Sequence, residues 1–244
     1  MSAASPGAAW RREDVVADFL DGRRPLIPLW KWQEEFVRSL VSRGGRQIRG
    51  FCDLGAGDGG FAQLVMDVHP DATAVLVDFS EPMLVAARAQ VPAKDGRWEI
   101  VEADLASPEW LDRLPQQERF DAIVSRFCIH HLPDARKREL YEEVYRKLEP
   151  GGLFLNWEHV APGALVEGLF DEYFVERMLE AERERANPRP PEEVRRSYEN
   201  AADDDILSAA ETQCDWLREI GFEQVDVYFK LPELAIFGGV RGSA

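Results

Sequence analysis

Short apolar runs alternate with amphipathic segments along most of the chain, and this pattern predicts the secondary structure. Five runs have the length and composition of buried strands: residues 50–54, 74–77, 98–101, 120–125 and 153–159. The segments between them mostly carry apolar residues at helical spacing. Two further runs, 225–229 and 235–240, follow each other without a helix and predict a closing hairpin. The alternation predicts an α/β domain built on a parallel sheet.

Two parts of the chain lie outside this alternation. Amphipathic helices precede the first strand, and an insertion at about residues 163–207 separates the fifth strand from the last helix. Both carry large apolar side chains, which an exposed appendage would not retain. We therefore expect residues 1–45 to form an N-terminal helical lid and residues 46–244 to form the main domain, with the insertion as a second lid element. Within the insertion, Asp203-Asp204-Asp205 is interpreted as a solvated acidic turn.

Composition narrows the function classes. The 244 residues suit one α/β domain with additions, and the formal net charge of −16 argues against a nucleic-acid surface. No apolar run approaches membrane-spanning length. Three widely separated cysteines predict neither a disulfide framework nor a metal knuckle. We expect a cytoplasmic protein with no membrane partner and no metal ligands, and we leave a homodimer open.

A glycine-rich stretch, Asp53-Leu54-Gly55-Ala56-Gly57-Asp58-Gly59, joins the first strand to the next helix. Glycines at alternate positions let the backbone adopt positive φ angles and approach a ligand at the helix N-terminus. Carboxylates at 53 and 58 would repel a pyrophosphate but attract a ligand that carries an ammonium or sulfonium group.

The D-x-G-x-G-x-G pattern resembles motif I of the class I S-adenosylmethionine (SAM)-dependent methyltransferases. Further patterns typical of that family follow in order: D-x-S-x-x-M-L from Asp78, F-D-x-I-V…H-H-L from Phe120, and W-L-R-E-I-G-F from Trp216. The resemblance implies a Rossmann-like seven-stranded sheet of order 3-2-1-4-5-7-6 with strand 7 antiparallel. It also implies SAM as the cofactor and methyl transfer to a small-molecule acceptor.

Three strand ends, at Asp53, Asp78 and Asp104, each deliver a carboxylate to one crevice. The resemblance implies that Asp78 holds the ribose of SAM, that Asp104 lies at its adenine and that the glycine loop follows its methionine part. The cofactor-binding residues expected on this basis are Asp53, Gly55, Ala56, Gly57, Asp78, Phe79, Met83, Asp104, Leu105 and Arg126.

The acceptor side is expected near the ends of strands four and five. Candidate catalytic residues are Glu158, His159 and His131, with burial raising the pKa of Glu158 so that it can accept a proton. The alternative for the histidines is packing or cofactor contact. Expected substrate-binding residues are Trp30, His130, Asn156, Tyr173 and Arg196. Trp10, Trp30 and Trp32 are further expected to belong to the lid or, alternatively, to pack the helices onto the domain.

Other functions remain open at this point. Ile27-Pro28 and Arg196-Ser197 are similar to segments of the carboxy-SAM synthases, which use an arginine to hold an added carboxylate. A non-catalytic SAM-binding subunit is a further alternative. An NAD-dependent oxidoreductase is opposed by the closing hairpin, which dehydrogenases of the Rossmann type lack.

Overall fold

A seven-stranded sheet runs through the centre of the computed structural model, which describes residues 7–20, 26–43, 47–90, 97–115, 119–202 and 205–243. Its strands are β1 Gly50–Leu54, β2 Thr73–Asp78, β3 Trp98–Glu102, β4 Phe120–Arg126, β5 Leu148–His159, β6 Phe222–Lys230 and β7 Leu234–Arg241. The α-helices of these ranges are α1 Glu13–Leu20, α2 Trp30–Ser42, α3 Gly60–Val68, α4 Glu81–Gln90, α5 Trp110–Arg113, α6 Asp134–Lys147, α7 Leu169–Arg183, α8 Pro191–Ala202 and α9 Ala210–Ile220.

The strand order is β3-β2-β1-β4-β5-β7-β6. Strands β1 to β5 pair in parallel, and β7 lies antiparallel between β5 and β6. The predicted order and the antiparallel seventh strand are confirmed. The carboxyl ends of the parallel strands meet at one edge, and the order reverses between β1 and β4. An open α/β sheet binds ligands in the crevice at this point.

Helices cover both faces of the sheet, so the central strands are buried along nearly their whole length. Every residue of β1 is buried, as are five of the six residues of β2. Strand β5 begins at Leu148, earlier than the predicted residue 153, because Leu148 pairs with Phe120 before the register shifts. Sequence pattern missed this start because Pro150-Gly151-Gly152 interrupts the apolar run.

The insertion packs on the sheet through its own apolar cluster. Phe170, Phe174 and Met178 of α7 and Val194 of α8 are buried together with Leu234, the first residue of β7. The predicted domain boundary at residues 45 and 46 lies outside the described residues, and so do Asp203 and Asp204. Within the described ranges, no helix is long and apolar enough to cross a membrane.

Candidate active site

The glycine loop turns sharply from β1 into α3. Gly55, Gly57 and Gly59 have φ angles of 66°, 55° and 79°. The amides of Gly55 and Ala56 both donate to the carbonyl of Val77, at 2.8 and 3.0 Å, which closes the loop onto β2. The loop therefore lies against the strand that carries Asp78.

The glycines at 55 and 57 are required for different reasons. A Cβ on Gly55 would lie 2.1 Å from Sγ of Cys128, so this position must be glycine for close packing. A Cβ on Gly57 would meet only Sδ of Met83, at 3.8 Å. Because Gly57 also lines a cavity, its backbone is open to a ligand.

Asp78, at the end of β2, accepts a hydrogen bond from the glycine loop. Its Oδ2 accepts a hydrogen bond from the amide of Gly57 at 2.8 Å, and its Oδ1 accepts one from the amide of Ser80 at 2.8 Å. Each carboxylate oxygen can accept a second bond, and Asp78 lines the cavity. Two hydroxyl donors of a ligand therefore fit at this strand end. Burial raises the pKa of Asp78.

Asp53 is fully buried beneath the loop, and burial raises its pKa to about 7 against the opposing charge of Arg126. The amide of Ala62 also lowers this pKa, but neither carboxylate oxygen has a hydrogen bond of standard geometry in the described part of the chain. The guanidinium of Arg126 lies 5.1 Å from the ring of Trp30 and lines the cavity. Asp53 thus presents a buried carboxylate next to a site that fits a cationic ligand group.

One cavity joins the glycine loop to the insertion. Its walls come from the loop, the ends of β2, β4 and β5, the N-terminal segment and the insertion. They comprise Trp10, Phe19, Ile27, Trp30, Gly55, Ala56, Gly57, Asp58, Phe61, Asp78, Phe79, Ser80, Met83, Arg126, Phe127, Cys128, His130, His131, His159, Phe170, Phe174, Tyr198, Asp205 and Leu234.

Three imidazoles that line this cavity converge on Asp205. Nε2 of His130 lies 3.3 Å from Oδ1 of Asp205, and Nδ1 of His159 lies 3.3 Å from Oδ2. Nδ1 of His131 lies 3.1 Å from Oδ1. The amide of Ile206 donates to the carbonyl of His130 at 2.8 Å, which fixes the segment that carries Asp205. We call His130, His131, His159 and Asp205 the imidazole cluster.

Buried carboxylates hold two of these imidazoles from behind. Nδ1 of His130 lies 2.6 Å from Oε1 of Glu158, and Nε2 of His159 lies 3.2 Å from Oε2 of Glu233. Glu158 also accepts the backbone amides of His130 and His159, at 3.1 and 2.8 Å. The two rings are therefore fixed in orientation, each with its other nitrogen directed at Asp205.

The pKa values of the cluster follow from this pairing. Burial acts to lower the pKa of His130, but the charges of Glu158 and Asp205 raise it to about 10. Burial also acts to lower the pKa of His159, but hydrogen bonding to Asp205 and Glu233 raises it overall. The pKa of Asp205 is held well below its usual range by the three histidines, in spite of burial.

His131 differs from the other two histidines. Burial and the neighbouring His130 lower its pKa, and its Nε2 accepts a hydrogen bond from Nε1 of Trp10 at 3.0 Å. The indole can only donate, so the proton of a neutral His131 is on Nδ1, facing Asp205. The N-terminal segment is thereby tied to the cluster.

Comparison with known proteins identifies the family. A methyltransferase-domain family model matches residues 51–152. Carboxy-S-adenosyl-L-methionine synthase of Chromohalobacter salexigens is 30% identical over 225 residues, covering 89% of this chain and 78% of that protein. The chain belongs to the class I SAM-dependent methyltransferase family.

Two further relatives show how much of a longer protein the chain matches. Demethylmenaquinone methyltransferase of Thermus thermophilus is 28% identical over 149 residues, which cover 61% of this chain and 63% of that protein. The structure of human N-acetylserotonin methyltransferase in complex with SAM superposes with a TM-score of 0.63 at 16% identity. The match covers 99% of this chain and 60% of that one. The chain thus spans less than two thirds of either protein.

Most residues expected at the cofactor in this family line the cavity. Gly55, Ala56, Gly57, Asp78, Phe79, Met83 and Arg126 line it. Asp53 lies buried behind the loop. Asp104 lines a second, more polar cavity that shares Phe79 with the first, which is where an adenine amino group would be expected. Leu105 lines neither: its side chain is in the core, and its carbonyl accepts Nε of Arg136 at 2.8 Å.

Of the residues expected at the acceptor, Trp30, His130, His131 and His159 line the cavity, but three others do not. Asn156 is fully buried on the α6 side of β5 and donates to the hydroxyl of Tyr141 at 3.4 Å. Tyr173 is 45% exposed on α7, and Arg196 is exposed on α8. The reason is helix phase: the cavity-facing sides of α7 and α8 carry Phe170, Phe174 and Tyr198 instead.

Three further interpretations need correction. Glu158 lies behind His130 and does not line the cavity; its pKa is lowered rather than raised, because the charge of His130 outweighs burial. Trp32 packs on Phe36 and Phe229, at centroid distances of 5.1 and 5.2 Å, and not over the cavity. Asp205 is not a solvated turn residue, since its side chain is only 12% exposed within the imidazole cluster.

Sequence reasoning also missed residues of the site. Phe127 lines the cavity in a left-handed conformation (φ 50°) that follows β4, and no local pattern predicts such a conformation for phenylalanine. Glu233, at the turn between β6 and β7, is nearly fully buried against His159. Its burial depends on the insertion, so the sequence around it looks like an ordinary exposed turn.

Proposed function

We propose that the protein binds SAM at the glycine loop and transfers its methyl group to a small-molecule acceptor held against the imidazole cluster. The observation that carries this proposal is that one cavity is lined by the loop with Asp78 and also by the imidazole cluster. SAM supplies a methyl group already activated on a sulfonium, so the protein mainly has to position the acceptor.

The cofactor end of the cavity fits SAM by chemistry. Asp78 retains acceptor capacity for two ribose hydroxyls, and Gly57 leaves its backbone open to the cavity. Asp53 and Asp58 are acidic groups near the loop, which favours the amino and sulfonium groups of SAM over a pyrophosphate.

The acceptor end suggests the kind of molecule that binds there. Its walls are largely aromatic and aliphatic: Phe127, Phe170, Phe174, Tyr198 and Leu234. A flat apolar body with one hydroxyl or amino group would pack on these walls and place that group beside the histidines. His131 and His159 are the expected catalytic residues, because both line the cavity beside this space. Glu158 acts as a positioning residue through His130.

The N-terminal segment and the insertion are proposed to form a lid. Trp10, Phe19 and Trp30 contribute one wall of the cavity, and Phe170, Phe174 and Tyr198 another. Closure over the cavity would exclude water from the methyl group. The net charge of −16 supports a small molecule over a nucleic acid as the acceptor, while a cytoplasmic location and a homodimer remain predictions.

Transfer can be tested without knowing the acceptor. Methyl-labelled SAM is incubated with the protein and a low-molecular-mass cell extract, and the products are separated by size. We expect a labelled small molecule that is absent with the Asp78→Ala variant. Label found only in protein or nucleic acid, or no transfer by a chain that binds SAM, would contradict the proposal; the latter result would indicate a non-catalytic SAM-binding subunit.

A second candidate is carboxylation of SAM, favoured by the 225-residue similarity to carboxy-S-adenosyl-L-methionine synthase. Arg196 does not support it, because this arginine is exposed and does not line the cavity. Mass spectrometry of the nucleoside that co-purifies with the protein distinguishes the two: SAM or its demethylated product supports methyl transfer, and a SAM heavier by one carboxylate supports carboxylation.

A further inference from the structure

Two imidazoles and one carboxylate of the cluster come from separate parts of the fold and meet at one point. His130 follows β4, His159 ends β5, and Asp205 ends the insertion. One nitrogen of each imidazole and a carboxylate oxygen of Asp205 all lie within 4.8 Å of one another. The nitrogen–oxygen distances of 3.3 Å match the edges of a tetrahedron of metal–ligand bonds of about 2.0–2.1 Å.

The hydrogen bonds behind these rings decide which nitrogen of each ring is available to a metal ion. Glu158 and Glu233 can only accept, so they hold the N–H on Nδ1 of His130 and on Nε2 of His159. Once a metal ion displaces the protons on these nitrogens, the rings direct lone pairs at the ion beside the two oxygens of Asp205. A metal ion would therefore compete with protons for this position. Carboxylates that orient histidine ligands in this way are typical of metal sites.

The charge balance also favours a cation. Glu158, Asp205 and Glu233 place three carboxylates, two of them buried, around three imidazoles. His131 is excluded from the ligand set because Trp10 occupies its Nε2 and leaves the proton on Nδ1. A divalent ion would take over the balancing of these charges from the protons on the facing nitrogens.

We propose that His130, His159 and Asp205 bind a divalent transition-metal ion, with Zn²⁺ as the best match. Imidazole nitrogen suits Zn²⁺ and its neighbours in the first transition row, whereas Mg²⁺ and Ca²⁺ prefer oxygen ligands throughout. All three residues line the cavity, so the remaining coordination position faces the space assigned to the acceptor. The ion would bind a heteroatom of the acceptor there. Metal binding itself does not depend on methyl transfer, and it is measured separately.

The test uses the full chain without an affinity tag, freed of metal by chelator and titrated with Co²⁺, whose absorption in a site of this kind reports coordination. We expect one Co²⁺ per chain, displaced by one equivalent of Zn²⁺ and not by Mg²⁺. His159→Ala and Asp205→Asn should weaken Co²⁺ binding by more than about 10-fold, and Glu233→Gln by about 10- to 100-fold through loss of orientation.

The chain offers a matched control for each ligand variant. His69→Ala removes a histidine that faces the carbonyl of Val41, and Asp215→Asn removes a surface aspartate paired with Arg218. Both should bind Co²⁺ as the wild type does. Absence of stoichiometric Co²⁺ binding, or unchanged binding by His159→Ala and Asp205→Asn, would show that the cluster is only an ion-pair network. If the variants fail to fold by circular dichroism, thermal unfolding of the wild type decides: Zn²⁺ should raise the unfolding temperature, and no rise overturns the proposal.

Discussion

Nδ1 of His130 lies 2.6 Å from Oε1 of Glu158, and both side chains are buried. The contact joins the segment after β4 to the end of β5, at the edge of the sheet where the parallel strands end. Glu158 also accepts two backbone amides, so its carboxylate fixes both the ring and the chain around it. The pair therefore supports the acceptor end of the cavity from behind.

Replacing Glu158 by glutamine should destabilise the protein. The variant keeps the shape but loses the charge that pairs with His130, and a hydrogen bond to a charged group contributes about 1.5–3 kcal/mol. Urea unfolding in the presence of chelator measures the loss. Glu81→Gln, which alters an exposed pair with Arg88, should change the free energy of unfolding by less than about 0.5 kcal/mol. Equal effects of the two variants would contradict the buried pairing.

Gly55→Ala should be more damaging to folding than Gly57→Ala. Both positions have positive φ, which costs a non-glycine residue roughly 1–2 kcal/mol. Only at Gly55 would the added methyl group collide with Cys128, and overpacking costs about 1–3 kcal/mol more.

The two glycine variants should also separate stability from binding. Gly57→Ala should fold but bind SAM more weakly, because its methyl group enters the cavity. Unfolding midpoints and SAM titration of both variants provide the measurement. If Gly57→Ala loses more stability than Gly55→Ala, the packing described for the loop is wrong.

The loop and the fold could be predicted from sequence because their determinants are local. Glycine spacing, the strand end at Asp78 and the β-α alternation each occupy a short stretch, and the strand order followed from the family resemblance. The imidazole cluster could not be assembled in the same way. Asp205 and Glu233 become buried only when the insertion and the β6–β7 turn meet the end of β5, and nothing near either residue in sequence indicates this contact.

Asp53 should make stability depend on pH in a direction opposite to that of most carboxylates. Its pKa of about 7 in the folded state lies above the ordinary value of 3.8, so the folded protein binds the extra proton between these limits. Stability should therefore fall as pH rises from about 4 to 7. Asp53→Asn removes this contribution. The free energy of unfolding of the variant, relative to that of the wild type, should therefore increase by up to about 4 kcal/mol as the pH rises across the interval.

Unfolding free energies of the wild type and Asp53→Asn at several pH values test this, and Asp121→Asn serves as the control. The pKa of Asp121 is lowered, with burial opposed by its bonds to Arg49, so its contribution is already constant above pH 5. The difference in unfolding free energy between the wild type and Asp121→Asn should stay constant between pH 5 and 8. If the difference in unfolding free energy between the wild type and Asp53→Asn is also independent of pH, Asp53 is ionised throughout this pH range in the folded state and its pKa is not raised.

The proposed lid should respond to the cofactor. Nε1 of Trp10 donates to His131, and the hydroxyl of Ser80 donates to the carbonyl of Trp10 at 2.5 Å, so the N-terminal segment contacts both the imidazole cluster and the residue that follows Phe79. Hydrogen exchange with and without SAM should show added protection in residues 7–20 and in α7 and α8. Helix α9, which packs on the core and lines neither cavity, provides an internal reference that should not change. If both segments exchange at the same rate with and without SAM, they are static packing.

The most direct test of the account is SAM binding by the wild type and Asp78→Ala, measured by titration calorimetry. Asp78 joins β2 to the glycine loop and has acceptor capacity left for a ribose. We expect one SAM per chain and a loss of about 1.5–3 kcal/mol in the variant, on the scale of hydrogen bonds made by a charged group. Asp67→Ala, at an exposed pair with Arg38, should bind as the wild type does. Failure of the wild type to bind SAM, or equal affinity of Asp78→Ala, would contradict the assignment of the cavity.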